Sequence, residues 1–399
     1  KEDDTAVMDP QARLLLEESL AAICDAGYRH EELSGRRVGV YVGGRAHIDE
    51  TRIKSILRAT NPILGLGQNY LASNISRFFN FTGPSLIVDT ACSSGLTAMS
   101  FAADALQAGT IDIALVGAVS LLLTPHAHDL FAARNILNEK GEFHIFDRNA
   151  SGEVLGEGAG VVMLKRVEDA RRDGDNIYGV VGGIAVNNDG QTLGPGSPNI
   201  HTQRQVIGEG LRLSGRRPEQ VGYIEVNGGG SLVVDAVEIK ALAEAYHLGD
   251  RSLGQCHLGS IKPNVGHLLL SSGIAGFIRC VLSVHAARIP PFLSALDPFE
   301  HFDFKSSRVV FNRATVEWRT APGEVRVAAQ NSFADGGTNC NVVIEEFHSK
   351  DGYRPSRSPL PMPAMKRKAY PLTPAARGLA ASAPRPHVNF WGEFRAERV

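Results

Sequence analysis

A surplus of charge, long apolar runs and paired cysteines are what this 399-residue sequence lacks. Forty-one Lys and Arg against 43 Asp and Glu leave a formal charge of −2, so no whole-molecule field draws the chain to nucleic acid or to an anionic membrane. No apolar run approaches the roughly eighteen residues of a spanning helix. The opening Lys1-Glu2-Asp3-Asp4 carries no signal-peptide hydrophobic region, and the expected location is cytoplasmic. Five cysteines, Cys24, Cys92, Cys256, Cys280 and Cys340, form no CxxC and no even framework. That argues against a disulfide scaffold or a zinc site and for free thiols in a reducing cytosol. No dinucleotide glycine loop, phosphate loop or ligand-spaced His/Asp/Glu cluster is found. His126 and His128 could share one face of a strand but lack a third ligand.

What is present fits a large folded core, with 43% hydrophobic and 21% charged residues, and excludes disorder, collagen and coiled coil. Forty-two glycines favour an α/β fold with many tight strand-to-helix turns. Asp9-Pro10 caps a helix with Leu16, Leu20 and Ile23 at helical spacing and Gly27 as its stop. Val38 to Val42 reads as a buried strand. Ser85 to Asp89, a helix from about Leu96 to Gln107 and a strand at Ile113 to Val116 make a βαβ unit. The pattern returns with Tyr223 to Val226, a helix from about Asp235 to Tyr246, a strand near Leu258 and a helix from about Ile274 to His285, which predicts two wound halves. The division is 1–215, 216–346 and a Pro-rich tail, 347–399, extended over the body. The Lys366-Arg367-Lys368 cluster in that tail reads as a solvated stretch.

Chemistry concentrates at Val88-Asp89-Thr90-Ala91-Cys92-Ser93-Ser94-Gly95. A cysteine between a buried strand and a helix start stands at the positive end of the helix dipole, where its thiol pKa should fall. Small neighbours leave room for a substrate. Lys262-Pro263-Asn264-Val265-Gly266-His267 is a second turn before a helix, in the second half's counterpart position, and brings an amine and an imidazole to a strand end. The other four cysteines read as buried core residues.

Asp89 to Ser94 closely resembles the nucleophile motif of β-ketoacyl synthases, and Lys262 to His267 resembles their lysine-to-histidine motif. Asn331-Ser332-Phe333-Ala334-Asp335-Gly336-Gly337-Thr338-Asn339 is similar to their C-terminal glycine loop. Gly156 to Gly160 and Asn187 to Gly190 match as well, in consistent order from about Met8 to Glu346. Gly67 to Ser73 and Pro359 to Pro363 look most like ketosynthase domains of modular polyketide synthases without built-in acyltransferases. The resemblance implies a thiolase fold layered α/β/α/β/α, a homodimer, and substrates carried on the phosphopantetheine of acyl carrier proteins, with no tightly bound cofactor or metal. It implies further partners in neighbouring synthase domains, and none in nucleic acid or membrane. Cys92 would take the acyl chain as a thioester. Its N–H, with one from the loop of Phe333, Ala334 and Asp335, would form the oxyanion hole. His267 and Lys262 match the second histidine and supporting lysine of extending relatives.

Departures gather on the condensing half-reaction. Asn227 stands where the family's first histidine is expected, in Glu225-Val226-Asn227-Gly228-Gly229-Gly230-Ser231. An amide donates a hydrogen bond but cannot become a cation, and a lost oxyanion donor costs about 3 kcal/mol. Gly229 replaces a threonine that holds the pantetheine arm in relatives, while Ser231 keeps a hydroxyl, so arm binding weakens by about 1 kcal/mol. Ala334 should stiffen the gating loop, and an Asp335 carboxylate facing the pocket would repel a malonyl group. The sequence also starts after the relatives' usual first strand and lacks their small flanking subdomain, which would leave a sheet edge to be covered. The preferred expectation is a non-elongating ketosynthase that relays an acyl chain through Cys92. The alternatives are a condensing enzyme using an Asn227/His267 pair and a catalytically silent structural domain.

Overall fold

Asp9 and Pro10 start the first long helix as their chemistry requires. The Asp9 carboxylate accepts the Gln11 N–H at 2.9 Å, and Pro10 occupies the first turn, where no N–H is needed. The helix runs Pro10–Asp25 and the chain turns at Gly27, φ +78°. Its buried stripe is Ala12, Leu15, Ser19 and Ile23; Ile23 is buried as expected, while Leu16 and Leu20 are only partly buried. These features come from a computed structural model that describes residues 2–47, 53, 54, 56–194, 196–349 and 352–365.

Val38–Gly43 (β1), Ser85–Val88 (β2), Ile113–Ser120 (β3) and Gly158–Leu164 (β4) form one sheet in the order β2-β1-β3-β4. β1 is parallel to both neighbours and β4 antiparallel to β3. The second sheet uses Val180–Asn188 (β5), Tyr223–Glu225 (β6) and Cys256–Gly259 (β7). Arg288–Ile289 (β8) pairs outside it with Val316–Glu317 (β10). Val309–Val310 (β9), Val327–Phe333 (β11) and Thr338–Glu345 (β12) complete the order β5-β12-β11-β6-β7-β9. Within it β7-β6-β11-β12 repeats β2-β1-β3-β4 strand for strand, parallel and antiparallel pairs included. The duplication expected from two βαβ patterns is therefore present in the hydrogen bonding.

Each half sends a helix from the corresponding strand into the space between the sheets. Ser94–Gln107 follows β2 and Ser272–Ala286 follows β7. Leu96, Met99, Ile274 and Phe277 from these helices share one core with Val116 of β3 and Val342 of β12. Pro10–Asp25 and Tyr70–Phe79 cover the outer face of the first sheet, while Ile200–Ser214 and Leu232–Ala245 cover that of the second. This is the expected α/β/α/β/α layering.

Two expectations change. Among the described residues one stretch, Leu269–Ala286, is long and apolar enough to span a membrane, where none is expected from the sequence. Its place between two sheets explains the composition. His126 and His128 lie in the helix His126–Ala133, not a strand, so a spacing of two puts them on different faces. Residues 352–365 form no helix or strand and lie against the first half. The Leu360 N–H reaches the Cys24 carbonyl at 2.8 Å, and the Arg357 guanidinium lies 3.9 Å from the centre of the Tyr28 ring. The Lys366 cluster and the later prolines lie outside the described residues.

Candidate active site

The carboxyl ends of β2, β6, β7 and β11 point to one side, and every sequence-predicted site residue sits at or beyond one of them. After β2 the backbone turns through Ala91 at φ +52° before the helix begins at Ser94. Local hydroxyls hold this turn. Ser94 Oγ accepts the Thr90 N–H at 2.9 Å and donates to the Ala91 carbonyl at 2.5 Å, and Ser93 Oγ donates to the Thr90 carbonyl at 2.9 Å. Gly43 lets β1 come close, because a Cβ there would stand 2.6 Å from the Gly95 nitrogen.

Beyond β7, the counterpart turn carries Lys262 and His267 into the same place. His267 Nε2 is 3.1 Å from Cys92 Sγ, across 175 residues of sequence, and Nδ1 is 2.7 Å from Ser272 Oγ. Buried Lys262 donates from Nζ to the Gly228 carbonyl at 3.2 Å. Burial, and then Lys262, holds the His267 imidazole well below its usual pKa, so it is neutral. The thiol expectation is corrected. Burial in the pocket, with the Glu153 carboxylate, pushes Cys92 up to about 12, although Lys262 and the Asp335 N–H pull the other way. Desolvation outweighs the helix end, and the resting pair is a thiol beside a neutral imidazole.

Beyond β6, Asn227 to Ser231 is fixed from behind. Glu238 accepts the N–H groups of Asn227 and Gly228 at 2.7 and 2.8 Å, and Asp235 accepts that of Gly229 at 2.8 Å. Asn227 Oδ1 in turn accepts the Phe333 N–H at 3.2 Å. A Cβ on Gly229 would meet Val234 Cγ1 at 2.9 Å, so the missing side chain matches a neighbouring valine. Ser231 stands at the start of Leu232–Ala245, partly exposed.

In the loop after β11, Ala334 donates to the Thr338 carbonyl at 3.0 Å, and Gly336 and Gly337 carry the positive φ of the turn, +88° and +84°. The Asp335 main-chain N–H stands near enough to the Cys92 sulfur to pull its thiol pKa down. Its carboxylate instead pairs in a fork with Arg134, at 2.6 and 3.2 Å.

Sequence reasoning missed Ser272, Arg134, Asp235, Glu238 and Glu153. The two helix carboxylates could have been suspected from their spacing after the glycine turn. Glu153 gave no signal. It lies on the extended stretch beside His267, where the His267 N–H bonds the Val154 carbonyl at 2.6 Å and the Gly156 N–H bonds the His267 carbonyl at 3.0 Å. Its side chain, 18% exposed, brings Oε2 to 3.8 Å from His267 Nε2. Burial, against Lys262, raises its carboxyl to about 7. Among the described residues no three His, Cys, Asp or Glu side chains converge as metal ligands. The arrangement can move a proton between sulfur and imidazole and can direct main-chain N–H groups at a carbonyl oxygen.

A family model described as "Beta-ketoacyl synthase, N-terminal domain" matches residues 1–170, and one described as "Beta-ketoacyl synthase, C-terminal domain" matches residues 178–295. The chain is 44% identical over 379 residues to polyketide synthase PksL of Bacillus subtilis, covering 95% of this chain and 8% of that protein. It is 40% identical over 346 residues to one component of the phenolphthiocerol/phthiocerol polyketide synthase of Mycobacterium tuberculosis, covering 86% of this chain and 22% of that protein. The chain thus spans less than a quarter of the length of either. Among solved structures, the oxazolomycin ketosynthase domain OzmH KS8 of Streptomyces albus aligns with a TM-score of 0.77 at 43% identity, over 92% of this chain and 87% of that one. The ketosynthase from module 6 of the bacillaene synthase of Bacillus subtilis aligns at 0.80 and 35% identity, over 86% and 59%.

Proposed function

We propose, from the premise that this chain belongs to the β-ketoacyl synthase family as a polyketide-synthase ketosynthase domain of thiolase fold, that it relays acyl chains without extending them. Cys92 would accept the chain from the phosphopantetheine of an upstream carrier protein and release it to a downstream one. With Nδ1–H given to Ser272 Oγ, His267 Nε2 keeps the lone pair that takes the thiol proton as sulfur attacks. The oxyanion would form between the N–H groups of Cys92 and Asp335. Its collapse expels the pantetheine thiolate, which recovers the proton from His267. The second transfer runs the same steps with an incoming pantetheine thiol. Lys262 sets the local charge, and Ser231 and the Gly229 turn would receive the arm.

The observation that carries the reading is the 3.1 Å sulfur–imidazole contact beside a position 227 with no imidazole. Acyl exchange needs the first and condensation normally needs the second. We read the chain as the type served by free-standing acyltransferases, with halves dividing near residue 215 and a tail from 347. We further read it as a homodimer joined through the β2 edge, where Leu86 is 45% exposed.

The test loads the purified domain with an acyl thioester, checks acyl-Cys92 by mass spectrometry, and then offers either free or malonyl carrier protein. Hand-over without carbon gain is expected. A β-keto product at the rate of ordinary relatives overturns the reading. One observation favours the condensing alternative: an amide whose oxygen is held by Phe333 can turn its Nδ2 donor toward the pocket. Absence of any Cys92 acylation would leave a structural role.

A further inference from the structure

The charges around the nucleophile do not balance. Arg134 is spent on Asp335. Among the described residues that leaves Lys262, which faces two buried carboxyls, Asp235 and Glu238, and the partly buried Glu153. Asp235 and Glu238 hold main-chain N–H groups of the 227–229 turn. Glu153 has no such employment. Among the described residues no side-chain hydrogen bond is made by its carboxyl, which points to the imidazole that touches Cys92. From the sequence, the malonyl-repelling carboxylate is expected at Asp335, but the fork to Arg134 neutralises that group. The repelling position is occupied from a different stretch of the chain.

We propose that Glu153 is a specificity-determining residue that excludes carboxylate-bearing acyl groups, such as malonyl, from the Cys92 pocket and so restricts it to neutral acyl chains. The inference deepens the relay reading and rests on it for its meaning. A second carboxylate near Cys92 would sit within a few ångströms of the first in a site of low dielectric, where like charges repel strongly. Titration supports the geometry. Glu153 faces Cys92, His267, Lys262, Asp235, Arg134 and Asp335, and with its carboxyl up at about 7 it is neutral in mild acid and ionised in mild base. His267, far below its usual range, and Cys92, up at about 12, keep their charges over that interval.

The test needs no acyl transfer. Cys92 is alkylated with iodoacetamide or with iodoacetate: the sulfur–carbon bond forms, iodide leaves, and the thiol proton passes to His267 or to water. Rates come from peptide mass spectrometry and are divided by those of a free thiol, so that thiol ionisation cancels in the ratio of the two reagents. The intact domain should favour iodoacetamide at least about tenfold more at pH 8 than at pH 6. In Glu153→Gln the preference should be flat and close to the pH 6 value. A Glu153→Gln protein that keeps the wild-type ratio at pH 8 overturns the proposal, and so does a wild-type ratio unchanged from pH 6 to 8, a measurement that needs no variant to fold. A parallel arm with a butyryl thioester separates the two readings. Failure of Cys92 to load defeats the relay, while the alkylation ratio still decides the role of Glu153.

Discussion

A histidine serves as a base only while one ring nitrogen is unprotonated and aimed, and in the proposed relay the aim of His267 depends on Ser272, 2.7 Å from Nδ1. Ser272→Ala should slow Cys92 acylation about tenfold while costing only about 1 kcal/mol of stability, measured by stopped-time mass spectrometry and urea unfolding. Position 227 carries a linked prediction. Asn227→His restores an imidazole but leaves Glu153 in place. Glu153→Gln removes the carboxylate but supplies no imidazole. Only the double variant should make a β-keto product, at least about tenfold above either single one, by product mass analysis. Glu153 also affects stability. Its carboxyl is raised in the folded chain from 4.5 to about 7, so the folded state binds the extra proton. The stability this contributes is complete below about pH 4.5 and is lost as pH rises through 7. Glu153→Gln should therefore melt with the wild type at pH 5 and above it at pH 8, by about 1–3 kcal/mol. Motif spelling singled out Cys92, His267 and Lys262 as candidates, and the fold places Cys92 against His267. It was silent on Glu153, whose importance lies in the neighbour it meets.

Between elements, the site is a set of strand ends held at fixed spacing by close backbone contacts. Gly156 is the tightest of these. A Cβ there would stand 2.2 Å from the Val265 carbonyl oxygen, and backbone cannot give way as a side-chain tip can. Gly156→Ala should lower stability by about 3 kcal/mol or more and slow acylation further, because the Val154–Gly156 stretch fixes His267 through two main-chain bonds. Circular-dichroism melts and the loading assay check both. The helix Leu232–Ala245 shows how much an element boundary can carry. Its start was legible only to within about one turn, since apolar spacing locates Ile239 and Leu242 but not the first residues. Those first turns matter most here, because Asp235 and Glu238 return from them to hold the Asn227 turn.

For the whole molecule, the repeated strand order explains why two unrelated sequence motifs meet. Helices that leave equivalent strands of two like sheets and pack together between them must bring their starts to one region. The same architecture exposes β2 at the end of its sheet. Leu86 on β2 is 45% exposed, and Phe78 and Phe101, on the helices packed against β2, are 66% and 50% exposed. Leu86→Glu should convert the expected dimer to monomers in sedimentation equilibrium while leaving the melt within about 1 kcal/mol of wild type.

The amino-acid sequence alone determined the pair of wound halves and singled out the Cys92 turn and its lysine–histidine counterpart, because period, capping and turn chemistry are written within about twenty residues. Tertiary structure decided the charge state of that chemistry. It raised Cys92 where the local helix start argued for lowering it, joined Asp335 to Arg134 across 201 residues, and set Glu153 beside His267. Desolvation and Coulomb interaction depend on distance in space, and neighbours brought together from different strands do not show in the order of residues along the chain.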